Sequence, residues 1–224
     1  RMLLGYEVSV WGKEEVKGII STLPPHLQNA DDEKKVPEFK DISIDVGMSK
    51  DKIKKIESNG LTENANIQSY DFIITTINDE IIWISISQKG GHIISMNYNR
   101  DVTTEILSQE DIDKIAQNFL EEKGFKNMKK TYFTKRDGIE TINFAYEQNG
   151  VIIYPDLIKI KIALDNGQIM GMETSGYLNS HYVRNIENPK ITLEEAKKTL
   201  NKKLEVESEK LAIIPTEYQT EILC

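Results

Sequence analysis

This 224-residue chain has few cysteines and histidines, two residue types that often build catalytic and metal sites. It contains one cysteine, Cys224, so no intramolecular disulfide and no multi-cysteine metal site can form within it. Its three histidines, His26, His92 and His181, are far apart in sequence, whereas a metal site needs several converging ligands. The sequence has no Gly-x-Ser-x-Gly nucleophile elbow and no Gly-x-x-x-x-Gly-Lys phosphate loop. We therefore expect no catalytic residues, no bound metal and no cofactor.

The chain also lacks an excess of positive charge and a long apolar run. Lys and Arg number 28 against 36 Asp and Glu, which gives a formal net charge of −8. This balance argues against sequence-independent nucleic-acid binding, because such binding requires a dense field of Lys and Arg. No stretch approaches the roughly 18 consecutive apolar residues of a membrane span. We expect contact with a membrane only through an anchor preceding Arg1.

Residues 107–125 carry the clearest helix pattern. Ser108 is suited to the N-cap, and Asp111 stands at the acidic position of a capping box. Gly124 is suited to end the helix. Apolar residues recur between them at helical spacing and form one stripe: Ile112, Ile115, Ala116, Phe119 and Leu120. The pattern predicts a helix that packs this stripe on a partner surface.

Predicted antiparallel strands follow the helix. Residues 140–148 alternate apolar and polar side chains, and Asn149-Gly150 then favours a tight turn. Residues 157–164 alternate strictly, which is typical of a strand with one face in water. Asn166-Gly167 predicts the next hairpin turn. Because Pro155 lacks an N–H and fixes φ, we expect it to break the strand pairing and to form a corner that joins two strands.

The pattern of a helix followed by strands recurs along the chain and is its strongest organisational signal. Residues 48–58 predict a shorter helix capped by Ser49, followed by strands and a Gly90-Gly91 turn. Residues 191–204 predict a helix capped by Thr192, with Leu193, Ala196, Leu200 and Leu204 on one apolar stripe. Two strands joined through Pro215 are predicted to follow it. The fold class is therefore α+β, with tandem units that each pack a helix on a small antiparallel sheet. The predicted units are 48–105, 106–187 and an incomplete third unit at 188–224.

Residues 1–47 do not fit this pattern. Residues 13–21 predict a short helix, and residues 23–39 are charged and interrupted by proline. We interpret 1–47 as an N-terminal segment or linker, or as part of an upstream unit.

The second and third units carry the residues that indicate a known family. The segment GVIIYPDLIKIKIALDNGQIMGMETSGYLNSH (150–181), with ITLEEAKKTLN and VESEKLAIIPTEYQTEILC after it, resembles the C-terminal region of YpeB-like spore germination proteins. The hairpin QKGGHIISMNYNRDV (88–102) is similar to the corresponding part of the preceding repeat. The resemblance covers 48–224. Its matching residues are Tyr154, Pro155, Asp156, Asp165, Asn166, Gly167, Tyr177 and His181.

This resemblance implies tandem PepSY domains in a non-enzymatic protein of endospore-forming bacteria. It implies an extracytoplasmic location, at the spore inner membrane or cortex, and an N-terminal membrane anchor. It also implies a partner, a SleB-like cortex-lytic enzyme, with each protein depending on the other for its presence in the dormant spore. PepSY domains more widely are thought to restrain enzymes, often peptidases. Whether the partner is inhibited or protected stays open.

Seven side chains are candidates for the partner surface. Trp83 lies on the strand face opposite Ile82, Ile84 and Ile86, so it is expected to be exposed. Lys159 and Lys161, together with Lys129-Lys130, predict a basic strip on one face of the sheet. Free sheet edges and grooves between repeats offer further places for a partner to dock. The candidates are Trp83, His92, Tyr154, Asp156, Lys159, Lys161 and His181.

The alternative function is a peptidoglycan-binding or weakly hydrolytic domain of the spore cortex. It predicts an aromatic-lined groove with two nearby carboxylates. Exposure of Trp83 in a groove would favour it, and burial of Trp83 under a neighbouring repeat would favour the interaction module. The adjacent acids at 110–111 and 194–195 are better explained as residues in the first turns of helices, where they meet the helix dipole. A deep pocket of converging charged groups would contradict the interaction module.

Overall fold

One sheet runs through all three predicted units. The computed structural model of the chain describes residues 46–62, 66–88, 90–201, 203–206, 208–216 and 221–224. The predicted helix at 13–21 and the proline-interrupted segment at 23–39 lie outside these residues. The described residues contain ten strands: β1 (Ile53–Thr62), β2 (Ser69–Thr76), β3 (Ile81–Ser87), β4 (Ile93–Asn99), β5 (Met128–Arg136), β6 (Ile139–Gln148), β7 (Val151–Ala163), β8 (Ile169–Glu173), β9 (Ala212–Pro215) and β10 (Glu221–Leu223).

The strand order shows how the units join. It runs β1-β2-β3-β4-β8-β7-β6-β5, with β9 parallel to β7 and β10 antiparallel to β9. Because β4 pairs with β8, the last strands of the first and second units are hydrogen-bonded neighbours. The α+β class is confirmed, with one continuous sheet in place of separate small sheets.

The described helices are α1 (Gln109–Glu122), α2 (Ser175–Ser180) and α3 (Leu193–Lys198), and a 3₁₀ turn spans Lys50–Lys52. The prediction for α1 is confirmed. The side chain of Ser108 accepts a hydrogen bond from the backbone N–H of Asp111, and four residues of the predicted stripe are buried: Ile112, Ala116, Phe119 and Leu120. This stripe joins the main core, whose sheet side includes Ile142, Ile158 and Ile160.

The predicted helix at 48–58 is wrong. Ile53 and Ile56 lie three residues apart, which suggested a helical face, but both belong to strand β1. The pairing between β1 and β2 shifts between Ile53 and Lys55, so the strand contains a bulge there. An extra residue in a bulge lets positions i and i+3 face the same side. Both isoleucines accordingly pack against the core cluster.

The predicted corner at Pro155 is also wrong, because β7 continues from Val151 to Ala163. The predicted break in pairing is confirmed, because Tyr146 of β6 pairs with Ile153 whereas Ala145 pairs with Leu157. The residues in between, 154–156, bulge out of the ladder. Proline is tolerated at a bulge because its missing N–H is not needed there.

The third unit has little packing of its own. Thr192 and Glu195 form a full capping box at the start of α3, but the helix ends six residues before Leu204. The predicted stripe is not buried, since Leu193, Leu200 and Leu204 are all exposed. Strand β9 attaches this unit to the second by parallel pairing with β7, through Ile152–Ala212 and Ile153–Ile213. No helix in the described part of the chain is long and apolar enough to cross a membrane.

Candidate interaction surface

One face of the sheet is open and mostly polar, and we call it the open face. Cross-strand pairing places one residue of each of eight strands side by side in a row across this face: Glu57, Ile73, Trp83, Asn97, Gly171, Lys161, Thr141 and Thr134. The opposite face carries the buried residues of the same strands, such as Ile82, Ile84 and Ile160. The period-2 alternation of a strand produces this separation.

Trp83 stands near the middle of the first-unit half of the open face. It is 47% exposed, as its position opposite Ile82, Ile84 and Ile86 predicted. Its neighbours in the row are Ile73 and Asn97. An exposed indole with an apolar neighbour is suited to contact either a protein or the apolar face of a sugar. It does not line the cavity described below, and it is not buried under a neighbouring repeat, so the criterion stated in the sequence analysis favours neither function.

Lys159 and Lys161 lie on the second-unit half of the open face. Lys159 Nζ pairs with Glu173 at 3.2 Å, and Lys161 Nζ donates to the Asn97 side chain at 3.4 Å. The stem of Lys161 crosses Gly171, where a Cβ would lie 3.0 Å from its Cδ and 3.1 Å from the Met96 carbonyl oxygen. A side chain at 171 would therefore crowd both atoms, and the stem of Lys161 packs closely over this glycine.

The predicted basic strip is broken. Lys130 reaches the helix side of the sheet, where Nζ contacts Asp113 of α1 and lies 3.7 Å from Glu140. Glu140 is fully buried and also receives a hydrogen bond from Gln109 at 2.7 Å. The lysine at 130 therefore neutralises a buried acid and is not part of the open face.

Asp156 is not on the surface at all. It is fully buried in the bulge of β7, and Arg184 binds it through two hydrogen bonds of 3.0 and 2.8 Å. Arg184 is itself 5% exposed, and the side chain of Gln148 holds its backbone N–H and C=O. A bidentate Arg–carboxylate pair is a strong, directional contact. Asp156 therefore has a structural role as the ion-pair partner of Arg184. The sequence analysis did not identify Arg184.

Arg184 also binds the third unit. Its Nε and one terminal nitrogen donate to the two carboxylate oxygens of Glu221 at 2.8 and 2.7 Å. These hydrogen bonds, and the nearby positive charge, hold the pKa of Glu221 below its ordinary value. We call the set Asp156, Arg184 and Glu221 the Arg184 clamp.

His181 belongs to the same neighbourhood and not to a free surface. Its Nδ1 lies 2.7 Å from Asp156 Oδ2, and its ring stacks on Tyr177 with centroids 4.3 Å apart. Tyr146 meets the ring edge-on at 4.6 Å. Burial, followed by the charge of Asp156, raises the pKa of Tyr177. The ring is held on three sides, which is a structural arrangement.

His92 and Tyr154 are half-buried. The His92 ring lies 6.0 Å from the ring of Phe125, and burial lowers its pKa to about 4. The backbone N–H of His92 donates to Ser87 Oγ, which fixes the Gly90-Gly91 turn. Tyr154 packs against a small cluster that contains Ile152 and Ala212. Of the seven candidates, the structure brings only Trp83, Lys159 and Lys161 together on one open face.

A second arginine joins the first and second units. Arg100, just after β4, binds Asp165 in the β7–β8 turn through hydrogen bonds of 2.7 and 2.9 Å. The guanidinium hydrogen bonds lower the pKa of Asp165. We call this pair the Arg100 clamp. Asp165 matched the family pattern, but its partner gave no sequence signal, because the two residues are 65 positions apart.

A cavity of about 230 Å³ adjoins the Arg100 clamp. Lys52, Glu80 and Arg100 are its charged lining residues, and the described lining contains no histidine or cysteine. Nowhere in the described residues do three or more His, Cys, Asp or Glu side chains form a group that could hold a metal ion. The acids at 110–111 and 194–195 lie in the first turns of α1 and α3, as predicted.

Comparison with known proteins places the chain in a family. Residues 26–187 match the family model described as YpeB sporulation, PepSY1 and PepSY2 domains. This match begins within the N-terminal segment to which we assigned no resemblance. The curated sporulation protein YpeB of Halalkalibacterium halodurans is 36% identical over 142 residues, and that of Bacillus subtilis is 35% identical over 146. These matches cover 63% and 64% of this chain and 32% of each relative, so they span about a third of the relatives' length.

A solved structure supports the same conclusion. The Bacillus megaterium YpeB C-terminal domain superposes with a TM-score of 0.74 at 29% identity, covering 82% of this chain and 81% of that one. The family match covers well over half of the chain, and the strand-and-helix architecture agrees with that neighbour. This chain belongs to the YpeB family of sporulation proteins and carries its PepSY domains, a membership that supports a germination-related role.

Proposed function

We propose that this chain is the docking region of a germination protein that binds a SleB-like cortex-lytic enzyme and stabilises or restrains it. The protein itself is non-catalytic in this proposal, and it acts outside the cytoplasm, at the spore inner membrane or cortex. The observation that carries the proposal is the continuous sheet whose open face spans eight strands from β1 to β5.

The open face suits a protein partner better than the strand edges do. Two edge strands, β1 and β5, carry Lys54, Lys55, Lys129 and Lys130 and are interrupted by bulges, and the third edge strand, β10, has only three residues. Lysines and bulges at an edge oppose the addition of another strand. The open face instead offers Trp83 as an anchor, since interface hot spots are enriched in tryptophan. Lys159 and Lys161 supply polar contacts beside it.

Docking on this face would stabilise the bound enzyme by mass action, because only its folded form presents the complementary surface. If the enzyme's cleft faced the sheet, the same contact would also restrain it.

The test is binding of the purified chain to the cortex-lytic enzyme of the same organism, measured by biolayer interferometry. Trp83→Ser should weaken binding at least about tenfold, the loss typical of a hot-spot residue. Leu61→Ser is the matched control. Leu61 is 50% exposed, but its pairing through Tyr70 places it on the same face of the sheet as buried Ile86, opposite the open face. Absence of binding at tens of micromolar, with both proteins folded, would contradict the proposal.

The exposed indole also favours a second candidate, binding of peptidoglycan. Trp83 lies next to Asn97, and Lys161 reaches across to the same asparagine, so hydrogen-bonding groups flank an aromatic platform. In this case the chain would be retained on cortex sacculi, and Trp83→Ser would abolish retention. Release of muropeptides by the purified chain would contradict the non-catalytic part of the proposal.

A further inference from the structure

The chain contains three Asn-Gly pairs, and the structure holds each of them differently: 59–60, 149–150 and 166–167. In such a pair the backbone nitrogen of the glycine can attack Cγ of the asparagine, because glycine has no Cβ to hinder the approach. A bond forms between that nitrogen and Cγ, the bond from Cγ to the side-chain nitrogen breaks, and ammonia leaves with the proton of the glycine N–H. Water then opens the succinimide ring to aspartate or isoaspartate. The ring closes only where the backbone of the pair is free to rotate.

The pair at 166–167 is held by its surroundings. The N–H of Gly167 donates to the carbonyl of Ala163 at 3.0 Å, so the attacking nitrogen is engaged. A Cβ on Gly167 would lie 2.5 Å from Ile115 Cδ1, which shows how closely α1 packs over the turn. The side-chain oxygen of Asn166 accepts from the backbone N–H of Gln168 at 2.9 Å. Ring closure here requires the whole turn to open.

The pair at 149–150 is held by a tight hairpin. Asn149 and Gly150 have φ values of 53° and 79°, both in the left-handed region that a two-residue turn between antiparallel strands requires. The flanking residues Gln148 and Val151 pair across the hairpin. Gln148 is also buried, and its side chain is hydrogen-bonded to the backbone of Arg184. Rotation of the asparagine backbone would break this anchored turn.

The pair at 59–60 lies in a bulge of the edge strand β1. Ser58 pairs with Phe72 and Gly60 pairs with Asp71, so Asn59 is the extra residue between two consecutive pairs. The extra residue of a bulge is left out of the hydrogen-bond ladder. Because β1 is the last strand of the sheet on this side, only β2 restrains the bulge through strand pairing.

The surroundings of Asn59 leave room for the reaction. Asn59 and Gly60 are both exposed, and the N–H of Gly60 donates to Ser58 Oγ over a long 3.3 Å. Among the described residues, no atom lies within 4 Å of a Cβ built on Gly60, in contrast to Gly167. Exposed backbone with few packing contacts opens at little cost in free energy. Both the attacking nitrogen and the asparagine side chain are therefore accessible to each other and to water.

From this contrast we propose that Asn59 is a site of spontaneous deamidation in the folded chain, whereas the other two Asn-Gly pairs are protected by their turns. The product carries a new carboxylate at 59, on a strand that already carries Glu57 and next to the Gly60–Asp71 pair. The isoaspartate form also lengthens the main chain of β1 by one carbon, at a point where the ladder is already interrupted. The proposal does not depend on whether the open face docks a hydrolase.

The test compares the three pairs within one molecule. Trypsin places them on three separate peptides, 56–89, 137–159 and 162–184, so mass spectrometry follows each conversion of amide to acid separately. The whole chain is kept for weeks in neutral buffer, folded or unfolded in urea. In urea the three pairs should react at similar rates. In the folded chain Asn59 should stay within about threefold of its rate in urea, and the other two should slow at least about tenfold, because their turns must open first.

Asn59→Gln is the matched control variant. A glutamine would have to close a six-membered ring, which is far slower, so the mass increase of peptide 56–89 should disappear. The other two peptides should be unchanged, because an exposed substitution leaves the fold intact. Circular dichroism checks the fold. Deamidation of Asn59 no faster than that of Asn149 or Asn166 in the folded chain, or a mass increase that persists in Asn59→Gln, would overturn the proposal.

Discussion

Two arginine clamps join neighbouring units of this chain, and they use the same bidentate chemistry in different surroundings. In the Arg184 clamp the side chains of Arg184 and Asp156 are 3% and 0% exposed, and Glu221 satisfies the rest of the guanidinium. In the Arg100 clamp the side chains of Arg100 and Asp165 are 15% and 20% exposed, and the buried Nε–H has no acceptor among the described residues. A fully buried and fully satisfied ion pair is a structural tie, whereas the more exposed Arg100–Asp165 pair keeps contact with water.

The first prediction, which has the largest expected effect on stability, concerns the Arg184 clamp. Arg184→Met should lower the free energy of unfolding by about 3–5 kcal/mol, because Asp156 would keep a buried charge that has lost its main partner. Urea denaturation measures the change. Arg136→Met is the matched control, since that side chain is 88% exposed and should contribute less than ~0.5 kcal/mol.

A double substitution sharpens this result. Asp156→Leu combined with Arg184→Met removes both charges and should recover part of the lost stability, as apolar replacement of buried ion pairs often does. If Arg184→Met alone cost no more than Arg136→Met, the Arg184 clamp would not be a structural tie.

The second prediction concerns the Arg100 clamp. Arg100→Met should lower the free energy of unfolding by about 1–3 kcal/mol, the usual range for hydrogen bonds to charged groups. The effect is smaller because Asp165 keeps access to water and is not left buried. The same urea titration measures it. A loss equal to that of Arg184→Met would erase the difference between the two clamps.

The third prediction is a pH effect that is smaller than either arginine loss. Arg184 depresses the pKa of folded Glu221 below its ordinary 4.5, so the stabilisation is present above pH 4.5 and is lost as the pH falls through the folded value. The wild type should therefore lose stability below pH 4.5 more steeply than Glu221→Gln. Urea titrations at a series of pH values between 3 and 6 measure the slopes. Identical slopes would show that Arg184 does not lower the pKa of Glu221.

The smallest expected effect lies outside both clamps, on the open face. Trp83→Ser should change the free energy of unfolding by less than ~0.5 kcal/mol, because the side chain is half exposed and is not part of the core. Thermal unfolding followed by circular dichroism checks this. A large loss would mean that Trp83 is needed for folding, and its effect on binding could not then be assigned to docking.

The elements predicted well are those fixed by local chemistry. The capping residue and apolar stripe of α1, the turns at 149–150 and 166–167, and the alternation in β7 depend on neighbours within a few positions. The exposure of Trp83 follows from the same period of two. The predicted helix at 48–58 and the predicted corner at Pro155 were wrong because bulges depend on the partner strand, which the local pattern does not contain.

The sequence by itself determined the fold class and which residues of β3 and β7 face water, because periodicity and turn chemistry are local properties, and its motifs indicated the family. Only the tertiary structure decided that one sheet passes through every unit, that Asp156 and His181 are held inside it, and that Arg100 and Arg184 meet their acids. The reason is distance along the chain: these partners are between 25 and 65 residues apart, and only the completed pairing of strands brings them together.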